Sequence, residues 1–200
     1  MGCSLETVTE ASSTVSFKVS AYFNKGNGSF LKIPGAQFSN GNTLCGPNVV
    51  GDFNNDGNLD VGVCTLDFGG DPSSYKIYLG DGQGGFTAAP GGVSGVGPAV
   101  DMNGDGTLDL VTVANFGGPN TLIVSLGNRD GTFTDTKQEV QLNAGVGGVP
   151  VIGDFNGDGK LDVAIPGRNV VAVFLGNGDG TVGPEVDYTV PNIASSLPPM

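Results

Sequence analysis

An all-β fold assembled from repeated four-stranded antiparallel units is what this sequence predicts, and three observations predict it. The first is composition. Glycine supplies 36 of the 200 residues, against a usual share of about 7%, and shows no collagen triplet. Of the 20 acidic residues 16 are aspartate; Asp, Asn and Gly build turns, whereas helices draw on Glu, Lys, Ala and Leu. The second is an aspartate-rich segment that occurs three times: GDFNNDGNLD from Gly51, VDMNGDGTLD from Val100 and GDFNGDGKLD from Gly153. The third is an interleaved glycine turn: LGDGQGGF ending at Phe86, LGNRDGTF ending at Phe133 and LGNGDGTV ending at Val182, with a weaker copy, FNKGNGSF, ending at Phe30.

Each element follows from these. Alternating apolar residues run into every glycine turn (Ile77 and Leu79; Leu122, Val124 and Leu126; Val171, Val173 and Leu175), and period-two alternation entering an Asn/Asp/Gly turn reads as a β-hairpin. One repeat then comprises strand A at Val49–Gly51, strand B at Leu59–Thr65, strand C at about Tyr75–Leu79 and strand D from Phe86. No window shows an amphipathic helix. The first aspartates of the loops (Asp52, Asp101, Asp154) are 49 and 53 residues apart, and four short strands at that period are the signature of a β-propeller blade. The expected division is a partial blade over 1–46, blades over 47–95, 96–146 and 147–190, and a closing strand over 191–200. That is three complete repeats plus a split fourth. Leu5–Val8, Val15–Phe23 and Phe30–Ile33 would supply strands B, C and D of the split blade, and 191–200 would pair with Leu5–Val8. The pairing would lie within one chain or, in a homo-oligomer, between chains.

Charge and residue usage narrow the function. The formal net charge is −12, which repels phosphate backbones and anionic membranes, so nucleic acid is not an expected partner. Histidine and tryptophan are absent, which removes Ser–His–Asp and Cys–His catalysis and His-ligated zinc. Cys3, Cys45 and Cys64 have no metal spacing; Cys45 and Cys64 flank one loop, where a disulfide and two buried thiols are both compatible with the spacing. No run of 18 apolar residues exists, so no membrane insertion is expected. The start, MGCSLETVTE, shows no signal-peptide pattern, and Glu6 stands where a myristoylation signal needs Ser or Thr.

The aspartate loops carry the chemistry. Each reads D-x-N-x-D-G-x-L-D, placing side-chain oxygens at positions one, three, five and nine, with a backbone carbonyl available at seven. Calcium takes six to eight oxygen ligands, and this pattern offers them without nitrogen or sulfur. Gly57, Gly106 and Gly159 at position six permit the chain reversal that returns position nine. An EF-hand is excluded, because Val63 and Thr112 stand at position twelve where it needs Glu, and strands rather than helices flank the loops. Simple Asx turns are the competing explanation. Against it, two carboxylates ~4 Å apart at an effective dielectric near 20 repel by about 4 kcal/mol without a counter-ion, and three carboxylates recur in each of three loops.

These segments resemble FG-GAP/VCBS repeats, the blades of integrin α-chain propellers and of many secreted proteins. The resemblance implies a calcium ion in each A–B loop on one face. Its ligands would be Asp52, Asn54, Asp56, Asn58 (carbonyl) and Asp60; Asp101, Asn103, Asp105, Thr107 (carbonyl) and Asp109; Asp154, Asn156, Asp158, Lys160 (carbonyl) and Asp162. The chain departs from the family in carrying three repeats and a fraction where about seven blades are usual.

The glycine turns join strand to strand and read as hairpins, not phosphate loops. Phe53, Phe86, Phe133 and Phe155 recur at fixed positions and are expected to pack between blades. A ligand is expected on the face opposite the metals, at the B–C connections Asp67–Ser74, Asn115–Asn120 and Pro166–Asn169 and the D–A connections Ala88–Gly97 and Thr134–Gly148. The function expected is a non-catalytic, calcium-binding, extracellular or secreted module for adhesion or for binding a protein or glycan. The alternatives are a lectin propeller and a self-assembling structural fragment. A glycan-cleaving enzyme is disfavoured, because no isolated carboxylate pair remains outside the loops.

Overall fold

The computed structural model describes residues 2–9, 15–24, 29–33, 37–39, 43–44, 48–66, 74–115, 117–143 and 145–190. Among these residues there are strands and no helix, arranged as four antiparallel sheets. In the first, β2 (Val15–Asn24) lies between β1 (Gly2–Thr9) and a broken outer strand made of β3 (Phe30–Ile33) and β4 (Gln37–Ser39). β1 pairs with β2 through Leu5↔Val19. Residues 191–200, the expected closing strand, lie outside the described residues.

The second sheet takes β5 (Thr43–Leu44), β6 (Val49–Gly51), β7 (Asp60–Leu66), β8 (Ser74–Gly80), β9 (Phe86–Ala88) and β10 (Val93–Ser94). β5 and β6 both pair with β7, at Leu44↔Thr65 and Val49↔Gly62, so they are two pieces of one outer strand. β5 therefore joins this sheet from ahead of the boundary expected after residue 46. β9 and β10 are likewise two pieces along β8, separated by Pro90, Gly91 and Gly92; proline cannot donate to a ladder, which interrupts the strand there. The third sheet has the order β11 (Ala99–Val100), β12 (Asp109–Asn115), β13 (Asn120–Gly127), β14 (Phe133–Gln141). The fourth has β15 (Val151–Gly153), β16 (Asp162–Gly167), β17 (Val170–Phe174), β18 (Val186–Thr189) in the same order.

Burial shows how the sheets stack. Leu110, Val111 and Thr112 of β12 are consecutive and all buried. Successive strand residues point to opposite faces, so both faces of this sheet are covered. On one side Leu110 joins Val49, Phe53, Tyr75, Ile77 and Val93 of the second sheet. On the other, Val111, Leu122 and Val124 join Val163, Ile165, Phe174 and Val182 of the fourth. Phe53 packs edge-on against Phe133, with ring centroids 5.9 Å apart, which fixes the second sheet against the third. Gln138 bridges the third to the fourth: its Nε2 donates to the Val182 carbonyl at 2.6 Å and its Oε1 accepts from Val182 N at 2.8 Å.

Phe155 departs from the expectation of packing between sheets. Its equivalents Phe53 and Met102 are buried, yet Phe155 is half exposed, along with Val151, Val186 and Tyr188. Position two of each loop is covered by the sheet that follows it, and among the described residues none follows the fourth. Cys64 is fully buried and disulfide-bonded; Cys45 lies outside the described residues.

Candidate metal centre

All three aspartate loops close on the same hydrogen-bond skeleton. At position one, Asp52 accepts from Asp56 N at 3.1 Å and Gly57 N at 2.8 Å. Asp101 accepts from Asp105 N and Gly106 N at 3.0 and 2.8 Å, and Asp154 from Asp158 N and Gly159 N at 3.2 and 2.9 Å. At position three, Asn54, Asn103 and Asn156 each donate Nδ2 to the carboxylate at position five, at 3.0, 3.2 and 3.1 Å. Position five receives the backbone N–H of position seven: Asp56 from Asn58, Asp105 from Thr107, Asp158 from Lys160. The position-six glycines have φ of +85°, +83° and +83°, a conformation that costs any residue with a Cβ. Positions one to six are thus an Asx-stitched arc whose carboxylates stay near the surface.

Position nine behaves differently. Asp60, Asp109 and Asp162 are fully buried. Asp60 Oδ2 accepts from Phe53 N at 2.7 Å and Oδ1 from Gly80 N at 2.8 Å. Asp109 accepts from Met102 N and Gly127 N at 2.8 and 2.9 Å, and Asp162 from Phe155 N and Gly176 N at 2.9 and 2.8 Å. This carboxylate therefore clamps the loop to the end of the third strand of its own sheet. A Cβ on Gly80, Gly127 or Gly176 would strike the carbonyl of Leu59, Leu108 or Leu161, so the L-G dipeptide of each glycine turn exists to let the strand approach the loop. The sequence reading assigned these glycines to the turn alone. Their recurrence directly after the last apolar residue of strand C, in all three repeats, was the available signal.

Electrostatics separate the two groups of carboxylates. Burial raises the pKa of Asp60 and Asp109 above the ordinary 3.8, opposed by their backbone donors. Asp56 is lowered by the Asn58 N–H and then the Asn54 amide, Asp105 by the Thr107 hydroxyl and N–H, and Asp154 chiefly by the Gly159 N–H. Asp56, Asp105 and Asp154, one in each arc, are therefore held in the carboxylate form. Among the described residues no group of three or more Asp, Glu or Cys side chains is gathered closely enough to hold a metal ion by itself. The donor chemistry nevertheless fits a hard divalent cation, since positions one, three, five and seven offer only oxygens to it, and each position-nine oxygen keeps a lone pair beyond its one N–H bond.

The structure thus draws each loop's five candidates into one compact segment; the position-nine aspartate is turned inward in all three, Thr107 is buried as well in the second, and the other candidates lie at or near the surface. A family model for the FG-GAP-like repeat matches residues 11–63, 101–165 and 154–198. The chain belongs to the FG-GAP-like repeat family. A search of curated proteins finds no match. The last two FG-GAP-like matches each begin at the first aspartate of a loop, so the loop and the strands after it form the recurring unit.

The glycine turns of these FG-GAP-like repeats are hairpin turns, as expected. Asp81 N donates to the Gly85 carbonyl, Asn128 N to Thr132 and Asn177 N to Thr181, at 3.0–3.1 Å. Neighbouring loops also touch, since Asn55 Nδ2 donates to the Gly106 carbonyl at 3.0 Å.

At the far end of the strands, clefts of about 310 and 420 Å³ lie side by side and share Asn120, Gly145 and Val146. They draw on 115 and 118–120, on 142–143 and 145–148, and on 166–168; the expected connection over 134–148 is shorter than read from the sequence, because β14 continues to Gln141. β12 runs from Asp109 at its loop to Asn115 at the cleft, a span of roughly 20 Å at ~3.3 Å per residue. Two of the cleft amides are held internally: Asn115 Nδ2 donates to Asn120 Oδ1 at 2.9 Å and Asn120 Nδ2 to the Val146 carbonyl at 2.8 Å.

Proposed function

We propose that the chain is a calcium-stabilised β-propeller module, non-catalytic and extracellular, that presents a protein or glycan ligand site on the face away from its aspartate loops. The observation that carries the calcium reading is the threefold repetition of one all-oxygen donor set on one hydrogen-bonded arc. Asp52, Asn54, Asp56 and the Asn58 carbonyl would hold the ion in the first loop. Asp101, Asn103, Asp105 and the Thr107 carbonyl would do so in the second, and Asp154, Asn156, Asp158 and the Lys160 carbonyl in the third, with Asp60, Asp109 and Asp162 backing them. A bound ion would supply charge neutralisation among the surface carboxylates of each loop. Face-to-face stacking of the sheets supports the propeller reading, and the shared cleft supports a ligand site built from connections of unequal length.

Substitution of single ligands tests this. Asp56→Ala, Asp105→Ala and Asp158→Ala are each expected to lose one calcium per chain by elemental analysis while the other two remain, because repeats depend mainly on their neighbours. Loss of all metal from one change would mean a shared cluster, and no metal in the unsubstituted protein would defeat the reading.

The half-exposed face at Val151, Phe155, Val186 and Tyr188 supports ring closure by a further blade, from this chain or another, because the equivalent faces of the second and third sheets are covered. Exposed apolar patches drive association. Phe155→Ser is expected to weaken concentration-dependent self-association in sedimentation velocity, and association that persists unchanged would show that this face makes no contact.

A further inference from the structure

The three glycine turns place Gly82, Arg129 and Gly178 at one equivalent position, with φ of +69°, +63° and +80°. Glycine adopts this left-handed conformation freely, and arginine does so against its own preference. Arg129 nonetheless sits there with its side chain folded onto the aspartate loop of its own repeat. Its Nε donates to Thr107 Oγ1 at 2.8 Å, and its Nη2 donates to the Asp105 backbone carbonyl at 2.6 Å. Its charge also reaches the Asp105 carboxylate.

The other two repeats fill this space from the loop side. A Cβ on Gly82 would run into Asn58 Oδ1, and one on Gly178 would meet the Lys160 stem at 3.3 Å. Position seven of the loop and the left-handed turn residue therefore form a complementary pair: Asn58 with Gly82, Thr107 with Arg129, Lys160 with Gly178. Thr107 is small and buried, which leaves room for the guanidinium above it. Loop 52–60 has no cation in its pair, whereas loop 101–109 has one fixed by two hydrogen bonds.

We propose that Arg129 is an internal counter-cation and staple for loop 101–109, holding this loop in shape without metal and making it a weaker calcium site than loop 52–60. The ranking of the sites rests on the calcium reading above; the staple does not.

The test uses the full chain, Arg129→Gly and Arg129→Lys; the glycine variant restores the residue found in both sister turns, so the turn itself keeps its conformation. In chelator, amide hydrogen exchange across 101–109 should be faster in both variants by about fivefold or more, with 154–162 unchanged as the internal control. In calcium titration, Arg129→Gly should tighten one site by roughly three- to tenfold, the effect of removing one positive charge near a divalent ion in a high dielectric. Arg129→Lys keeps the charge without the planar fork and should tighten that site less. Unchanged exchange across 101–109 overturns the staple. Unchanged affinity in Arg129→Gly, in a protein that binds calcium, overturns the counter-cation. Unsubstituted protein that takes up no calcium defeats the functional reading and the ranking with it, while the exchange result still decides the staple.

Discussion

Chelation of divalent cations is expected to lower the melting temperature of this protein by about 15 °C or more. A ligand that binds only the folded state at a hundredfold above its Kd adds ~2.7 kcal/mol, so three independent loops would add about 8 kcal/mol. A chain of this length loses roughly 2–4 °C per kcal/mol, and whole domains are stable by only ~5–15 kcal/mol. The physical source is the pair of surface aspartates at positions one and five of each loop. Asp52 and Asp56, Asp101 and Asp105, and Asp154 and Asp158 are anchored by backbone N–H groups that hold them close to one another. Apart from Arg129, fixed on loop 101–109, a chain with net charge −12 has little else to offset that repulsion. Differential scanning calorimetry with calcium and with chelator measures the shift, and coincident melts would contradict it.

The second large effect separates the two kinds of aspartate. Asp109→Ala should destabilise the metal-free protein by about 3–5 kcal/mol, because it leaves the Met102 and Gly127 N–H groups without their buried carboxylate acceptor, each at a cost of ~1–3 kcal/mol. Asp158→Ala should cost the metal-free protein less than about 1 kcal/mol, since that carboxylate is exposed and its lost partners, Lys160 N and Asn156 Nδ2, lie at the surface and can turn to water. Denaturant unfolding of both variants in chelator makes the comparison. Equal losses would mean that position nine is a ligand like the others and not a clamp.

Strand positions were legible because alternation and punctuation coincide. Val49–Gly51 was expected and found residue for residue, and β7 and β8 fell within a residue of the expected Leu59–Thr65 and Tyr75–Leu79. The loops were legible for the same reason, since Asp, Asn and Gly at fixed offsets permit few backbone paths. The division of labour inside the loop was not legible. An aspartate at position nine is the same letter whether it faces an ion or two amides, and only the approach of Gly127 to Leu108 shows which way Asp109 turns. Phe155 was misplaced because its burial depends on a neighbouring sheet and not on its own strand. Arg129 was visible as the one non-glycine at its turn position, but its reach to Thr107 depends on the size of a residue 22 positions earlier.

The most direct test of the calcium account is a calorimetric titration of calcium into the chelator-stripped chain of 200 residues, with magnesium as the control. The account predicts uptake of three calcium ions per chain, with magnesium bound far more weakly because it demands strict octahedral geometry. A flat calcium titration of folded protein would contradict it and leave the aspartate loops as hydrogen-bonded turns.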